Sequence, residues 1–138
     1  MIPLLHLLIS LILAAVLYPI FNLKVLLIIA GGVLIDIDHY LFYICRFRNF
    51  SIKNCYKYCH VEIKKNNFKD AIGTLLIFHN LEFLLISIIF SIYSQLALMF
   101  TIGLIFHYIA DAIHRYSLAK SFISSPSLIA WLIKNKIQ

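Results

Sequence analysis

Four apolar runs occupy most of this 138-residue chain: Ile2 to Tyr18, Leu23 to Ile44, Ala71 to Tyr93 and Leu96 to Leu118. Each is close to the roughly 20 residues that carry a helix across the hydrocarbon core, and well beyond the roughly 10 that a barrel strand uses. Backbone N–H and C=O groups find no water at that depth, so a run of this length must satisfy them internally, as a helix. The pattern predicts an all-α fold, an integral membrane bundle of four transmembrane helices, with residues 1–138 forming one domain. Composition agrees: 62% of residues are hydrophobic and 13% charged, against about a quarter charged in an ordinary soluble domain. The first run has neither a basic start nor a small-residue cleavage pattern, and is read as a retained span and not a signal peptide.

The connections give the topology. Pro3 suits a first helical turn, because its missing N–H has no partner there in any case; Pro19 and Asn22 close the first run. Ser94-Gln95 leaves so short a link that the third and fourth runs must form an antiparallel hairpin. From Arg46 to Asp70 the chain turns polar and basic, a loop with Arg46, Arg48, Lys53, Lys57, Lys64, Lys65 and Lys69 set among aromatic residues. That mixture fits contact with anionic lipid headgroups, and it matches no nucleic-acid module. The tail, 127–138, is too short to span and carries Trp131, Lys134 and Lys136, the pattern of a short C-terminal interfacial helix. Of the 12 Lys and Arg, only Lys24 falls on the face opposite the basic loop. A bias of eleven to one places both termini and the basic loop in the cytoplasm, with the chain integral to the cell (inner) membrane. Cys45, Cys55 and Cys59 are odd in number and make no CxxC pair, so they are read as free thiols on the cytosolic side.

Acids and imidazoles follow the opposite rule. Asp36, Asp38, Glu82 and Asp111, four of the six acids, lie within apolar runs, as do His6, His39, His79, His107 and His114, five of the six histidines. Ionisable groups at membrane depth are costly unless they are paired, face a cavity or bind an ion. Asp36 and His39 stand at i and i+3, as do His79 and Glu82, while His107, Asp111 and His114 run i, i+4, i+7; each set shares one helix face. Asp38 lies about 200° round from Asp36 at roughly 3.6 residues per turn, so it faces elsewhere or the helix breaks near Ile35 to Ile37. With these orientations the groups fall in the cytoplasmic half, His107 nearest the midplane. Carboxylate oxygens mixed with imidazole nitrogens suit one or two divalent ions, Zn²⁺, Mn²⁺ or Fe²⁺. The candidate ligands are His6, Asp36, His39, His79, His107, Asp111 and His114. Taken singly, His6 reads as a helix–helix hydrogen bonder, His79 with Glu82 as a structural pair, and His107 with Asp111 as part of a proton relay.

Asp36-Ile37-Asp38-His39, preceded by Gly31-Gly32, resembles the LPDxDH motif of the YdjM-like, LexA-binding inner-membrane family of metal-dependent hydrolases. The similarity continues through an early histidine (His6), Phe78-His79-Asn80 in place of the family's Thr-His-Ser, and a GxxxHxxxD helix running from Gly103 through His107 to Asp111. Ile35 stands where the family has proline, and no His-Arg precedes His79. The resemblance implies a metal-dependent hydrolase and leaves its substrate open.

Three functions are therefore in view. One is a hydrolase of a phosphoester or other ester of a lipid or amphiphile, in which the ions activate water and Asp38 or Glu82 acts as base or orienting group. The second is a metal or proton conductor. The third is a small structural membrane protein with a stabilising metal. Membrane lipids are the expected partners, nucleic acid is not, and the oligomeric state is left open.

Overall fold

The computed structural model describes residues 3–59, 76–119, 127–129 and 132, with the side chains of 115 and 117–119 outside that set. Among them the chain is helical, without a strand: α1 (Pro3–Phe21), α2 (Leu26–Val33), α3 (Ile37–Phe47), α4 (Ile52–Lys57), α5 (Leu81–Tyr93) and α6 (Gln95–Ala119), with 3₁₀ turns at Asn22–Val25, Leu34–Asp36 and Ile77–His79. The helical run Pro3–Phe47 and the segment Gln95–His114 are long and apolar enough to cross a membrane, while α5, at 13 residues, is apolar but shorter. Most of the basic loop beyond Cys59, the start of the third apolar run and most of the tail lie outside the described residues.

The first helical run is not straight. Asn22 sits at φ 51°, a left-handed conformation that asparagine tolerates better than most residues, and there the chain folds back. Ser10 of α1 consequently meets Gly32 of α2, so the two helices are antiparallel. On the other side α2 runs parallel to α6, Val25 lying in the same apolar layer as Met99 and Gly32 lying beside Gly103 and His107. Ser94 is extended and closes the α5–α6 hairpin that its short link dictates, and Ser87 meets Thr101 across it at 2.6 Å.

The bundle is thus stacked in levels. Lys24 Nζ donates to Gln95 Oε1 at one end. Next comes an apolar layer of Ala14, Val25, Ile28 and Met99. A layer of close backbone approach follows, and above it the level that holds His6, Asp36, His79, His107 and Asp111. Outward-facing side chains are apolar: Leu4, Val16, Ile20, Leu34, Ile89 and Ile92 are all more than half exposed. In water such a surface would be a liability; against acyl chains it costs nothing.

The close-approach layer is what lets the upper level form. A β-carbon on Gly31 would lie 2.1 Å from the Phe100 carbonyl oxygen, and one on Gly103 would lie 2.2 Å from that of Ile28. Small residues at such crossings let helix backbones touch and gain van der Waals contact that lipid cannot replace. Because the obstructing atoms are backbone, Gly31→Ala or Gly103→Ala must push α2 and α6 apart. We expect either variant to lose about 1–3 kcal/mol, the usual cost of overpacking, measured by unfolding of the detergent-solubilised chain.

Candidate metal centre

Two breaks in helical geometry build this level. Val33 leaves the helical region at φ −129° and Leu34–Asp36 tightens into a 3₁₀ turn, so α3 restarts with Asp36 at its N-cap. Of the two alternatives for Asp38, the break is the one that occurs. It allows Asp36 and Asp38 to reach the same cluster although a continuous helix would point them apart. The second break corrects the sequence reading: α5 begins at Leu81, and His79 belongs to the 3₁₀ turn before it. His79 and Glu82 therefore do not share a helix face.

Irregular buried backbone needs partners, and it has them. Asn80 Oδ1 accepts from the Phe83 N–H at 2.7 Å, capping α5, while its Nδ2 donates to the Ile77 carbonyl at 2.7 Å. Tyr108 Oη, on α6, lies 2.7 Å from the Phe78 carbonyl and 3.0 Å from that of Asn80. The Phe78 N–H donates to Asp38 Oδ2 at 3.0 Å. Neither Asn80 nor Tyr108 stands among the site residues read from sequence. Asn80 was recoverable, since an asparagine just before an apolar helix is a start signal; nothing in the sequence marks Tyr108.

The histidines are held by specific acceptors. His79 Nδ1 lies 2.9 Å from Asp38 Oδ2, and His107 Nδ1 lies 2.9 Å from the Gly32 carbonyl oxygen. A carbonyl and a carboxylate can only accept, so both Nδ1 atoms carry protons and both Nε2 atoms present lone pairs in the neutral rings. Those two Nε2 atoms are 3.0 Å apart. Asp36 Oδ1 is 3.5 Å from the first and 3.6 Å from the second, and His39 Nε2 is 3.8 Å from the same oxygen. Around a tetrahedral zinc with ligands at about 2.0–2.1 Å, neighbouring donor atoms are about 3.3 Å apart. The spacings found here bracket that value.

Beside this group lies a second. His6 is stacked on His107, ring centroids 3.9 Å apart, and its Nε2 is 3.2 Å from Asp111 Oδ1, whose other oxygen is 3.8 Å from His107 Nε2. His6 is 2% exposed, and its Nδ1 has no hydrogen-bond partner among the described residues; the same holds for Asp38 Oδ1. Three triads are thus able to hold a metal ion: Asp36, His79 and His107; His6, His107 and Asp111; Asp38, His39 and His79. His107 has one lone pair to give, so the two triads that share it cannot both use it. Asp111, with an oxygen toward each side, can serve both.

Burial gives the cluster a direction. His6, Asp38, His79, His107 and Asp111 are buried, whereas the side chains of Asp36 and His39 are 24% and 37% exposed. A small molecule would meet Asp36 and His39 first. His114 is half-buried on α6 and belongs to none of the three triads. Glu82 is also outside them: its carboxylate accepts from the Ser127 hydroxyl and from the N–H groups of Leu128 at 3.0 Å and Ile129 at 3.3 Å, fastening the C-terminal segment.

Cys55 and Cys59 offer no alternative nucleophile here. Burial first, and then the neighbouring Cys55, push the Cys59 thiol up to about 12, and burial likewise raises Cys55; a protonated thiol is a poor nucleophile and ligand. Comparison with family models, with curated proteins and with solved structures gives no match for this chain.

The geometry gives His79 and Asp38 different duties. His79→Ala removes a donor atom and is expected to abolish high-affinity metal binding. Asp38→Asn keeps the fold of the turn but weakens the hydrogen bond that orients His79, and is expected to weaken binding roughly 10–100-fold, as loss of an orienting partner does. Competitive titration with a chromogenic chelator checks both; equal effects for the two variants would contradict the assignment.

Proposed function

We propose that this chain is a membrane-embedded, metal-dependent hydrolase of an ester or phosphoester carried by a lipid or other amphiphile. The observation that carries the reading is the convergence of His79 Nε2, His107 Nε2 and Asp36 Oδ1 within 3.0–3.6 Å at a partly open end of a buried cluster. In this reading the bundle has four transmembrane helices, α1, α2 with α3, the third apolar run ending in α5, and α6. Both termini and the basic loop face the cytoplasm of the inner membrane.

His79, His107 and Asp36 hold the ion, and His39 closes the set from the exposed side. His6 and Asp111 stand ready for a second ion or steady the first through Asp111. Bound zinc, manganese or iron supplies Lewis acidity and lowers the pKa of a coordinated water. Asp38 keeps the His79 ring in its Nδ1–H tautomer and so keeps Nε2 aimed at the ion. Asp36, the most accessible carboxylate of the cluster, would hold the ion from the side on which a substrate enters. Glu82 binds the C-terminal segment, and the orienting role falls to Asp38. His114 is assigned no ligand role.

The relay reading is less well supported by the same geometry. A conducting path needs groups strung across the bilayer, whereas these are gathered at one level, with an apolar layer of Ala14, Val25, Ile28 and Met99 on the far side.

Metal analysis of the detergent-purified chain is expected to find at least one equivalent of transition metal, falling to background in His107→Ala and Asp36→Ala. Ester and phosphoester substrates of short-chain amphiphiles should be hydrolysed by the loaded chain and spared after chelation. A metal-free parent purified without chelator and unable to take up added metal would contradict the reading.

A further inference from the structure

The exposed edge of the cluster continues along α3 into a second feature. Asp36, His39, Tyr43 and Phe47 follow one another at intervals of three, four and four residues, which puts them on one face. Tyr43 and Phe47 then line a cavity of about 220 Å³, completed by Asn54, Lys57 and Tyr58 from α4 and the turn that follows it. The three rings are in mutual contact, with centroids 4.8–5.8 Å apart. Tyr43 and Tyr58 are buried and form the wall, while Asn54 and Lys57 are exposed at the mouth.

We propose that this cavity anchors the phosphate headgroup of an anionic membrane lipid. The charge around it is of one sign. Between His39 and Val61 the sequence carries Arg46, Arg48, Lys53 and Lys57 and no acid. Lys57 sits in the lining, and the Arg46 guanidinium lies 5.8 Å from the centroid of Phe47, one of the lining rings. The Asn54 amide adds two neutral donors. Ile37 and Leu41 on α3 are exposed and apolar, a surface that acyl chains can cover on the helix that leads to the cavity. Its volume is large enough for a phosphate headgroup.

The placement narrows the substrate of the hydrolase reading, on which this second step rests. One helical turn separates His39 from Tyr43 and a second separates Tyr43 from Phe47, so the cavity lies about 6–12 Å along the helix from His39. The basic end of α3 is the interfacial end, hence the cluster lies deeper than the anchored phosphate. In a glycerophospholipid the bonds at that depth are the acyl esters. Hydrolysis there adds water across the acyl C–O bond: the carbonyl carbon gains the water oxygen, the glycerol oxygen leaves and takes a proton, and the products are a carboxylate and a lysolipid.

The test separates anchor from chemistry. Calorimetric binding of dihexanoyl phosphatidylglycerol to the full purified chain should weaken about fivefold in Lys57→Gln, the effect of one interfacial cation. Lys57 is exposed, so its replacement leaves the fold intact. Unchanged binding in Lys57→Gln, equal affinity for dihexanoyl phosphatidylcholine, or equal affinity for inorganic phosphate would each overturn the anchor. With metal restored, the phosphatidylglycerol should yield fatty acid, and release of glycerol phosphate would overturn the depth assignment. Release of neither would contradict the hydrolase reading while the binding arm still decides the anchor.

Discussion

Two imidazole nitrogens that face each other at 3.0 Å, each with its ring's proton committed to the other side, are the contact on which the rest of this structure converges. Lone pairs at that distance repel unless a positive charge lies between or beside them. Either a proton or a metal ion would relieve the repulsion, and Asp36, 3.5 and 3.6 Å from the same two atoms, draws positive charge to them; Asp36 and Asp38 have no Lys or Arg partner among the described residues. Two carboxylates and two lone pairs in a low-dielectric bundle match a divalent cation better than a single proton.

Everything that fixes those two nitrogens is itself tightly constrained. His107 is aimed by a backbone carbonyl, that of Gly32, which it reaches only because α2 and α6 approach with glycine at the crossing. His79 is aimed by Asp38, and Asp38 reaches it only because the chain tightens at Leu34–Asp36. The turn that carries His79 is held open by Asn80 and Tyr108. Glycine packing, two 3₁₀ turns and four orienting groups thus serve one contact. A shift of an ångström at any of them would separate atoms whose spacing now fits an ion, which is why apparently structural residues far from any substrate are placed in functional positions.

Much of this could be read from residue order, and the parts that could not share a physical cause. The helical class follows from the apolar runs, because length and hydropathy alone exclude other solutions at membrane depth. The gathering of His6, Asp36, His79, His107 and Asp111 follows from helical spacing together with span direction. Periodicity assumes an unbroken helix, however, and misleads where the helix breaks. It joins His79 to Glu82 across a cap at Asn80, and for Asp38 it leaves two alternatives, of which the break at Leu34–Asp36 is the one found. The Gly32 carbonyl could not be found at all, since a backbone acceptor has no sequence signature. Tyr108 reads as packing until the irregular backbone it serves is known.

The most direct test is X-ray absorption at the metal edge of the purified, metal-loaded chain. Nitrogen and oxygen neighbours at about 2.0–2.1 Å are predicted, with the outer-shell scattering of at least two imidazoles and without a sulfur shell. A sulfur shell at about 2.3 Å, or oxygen-only coordination without imidazole scattering, would place the ion elsewhere and contradict a centre built on His79 and His107.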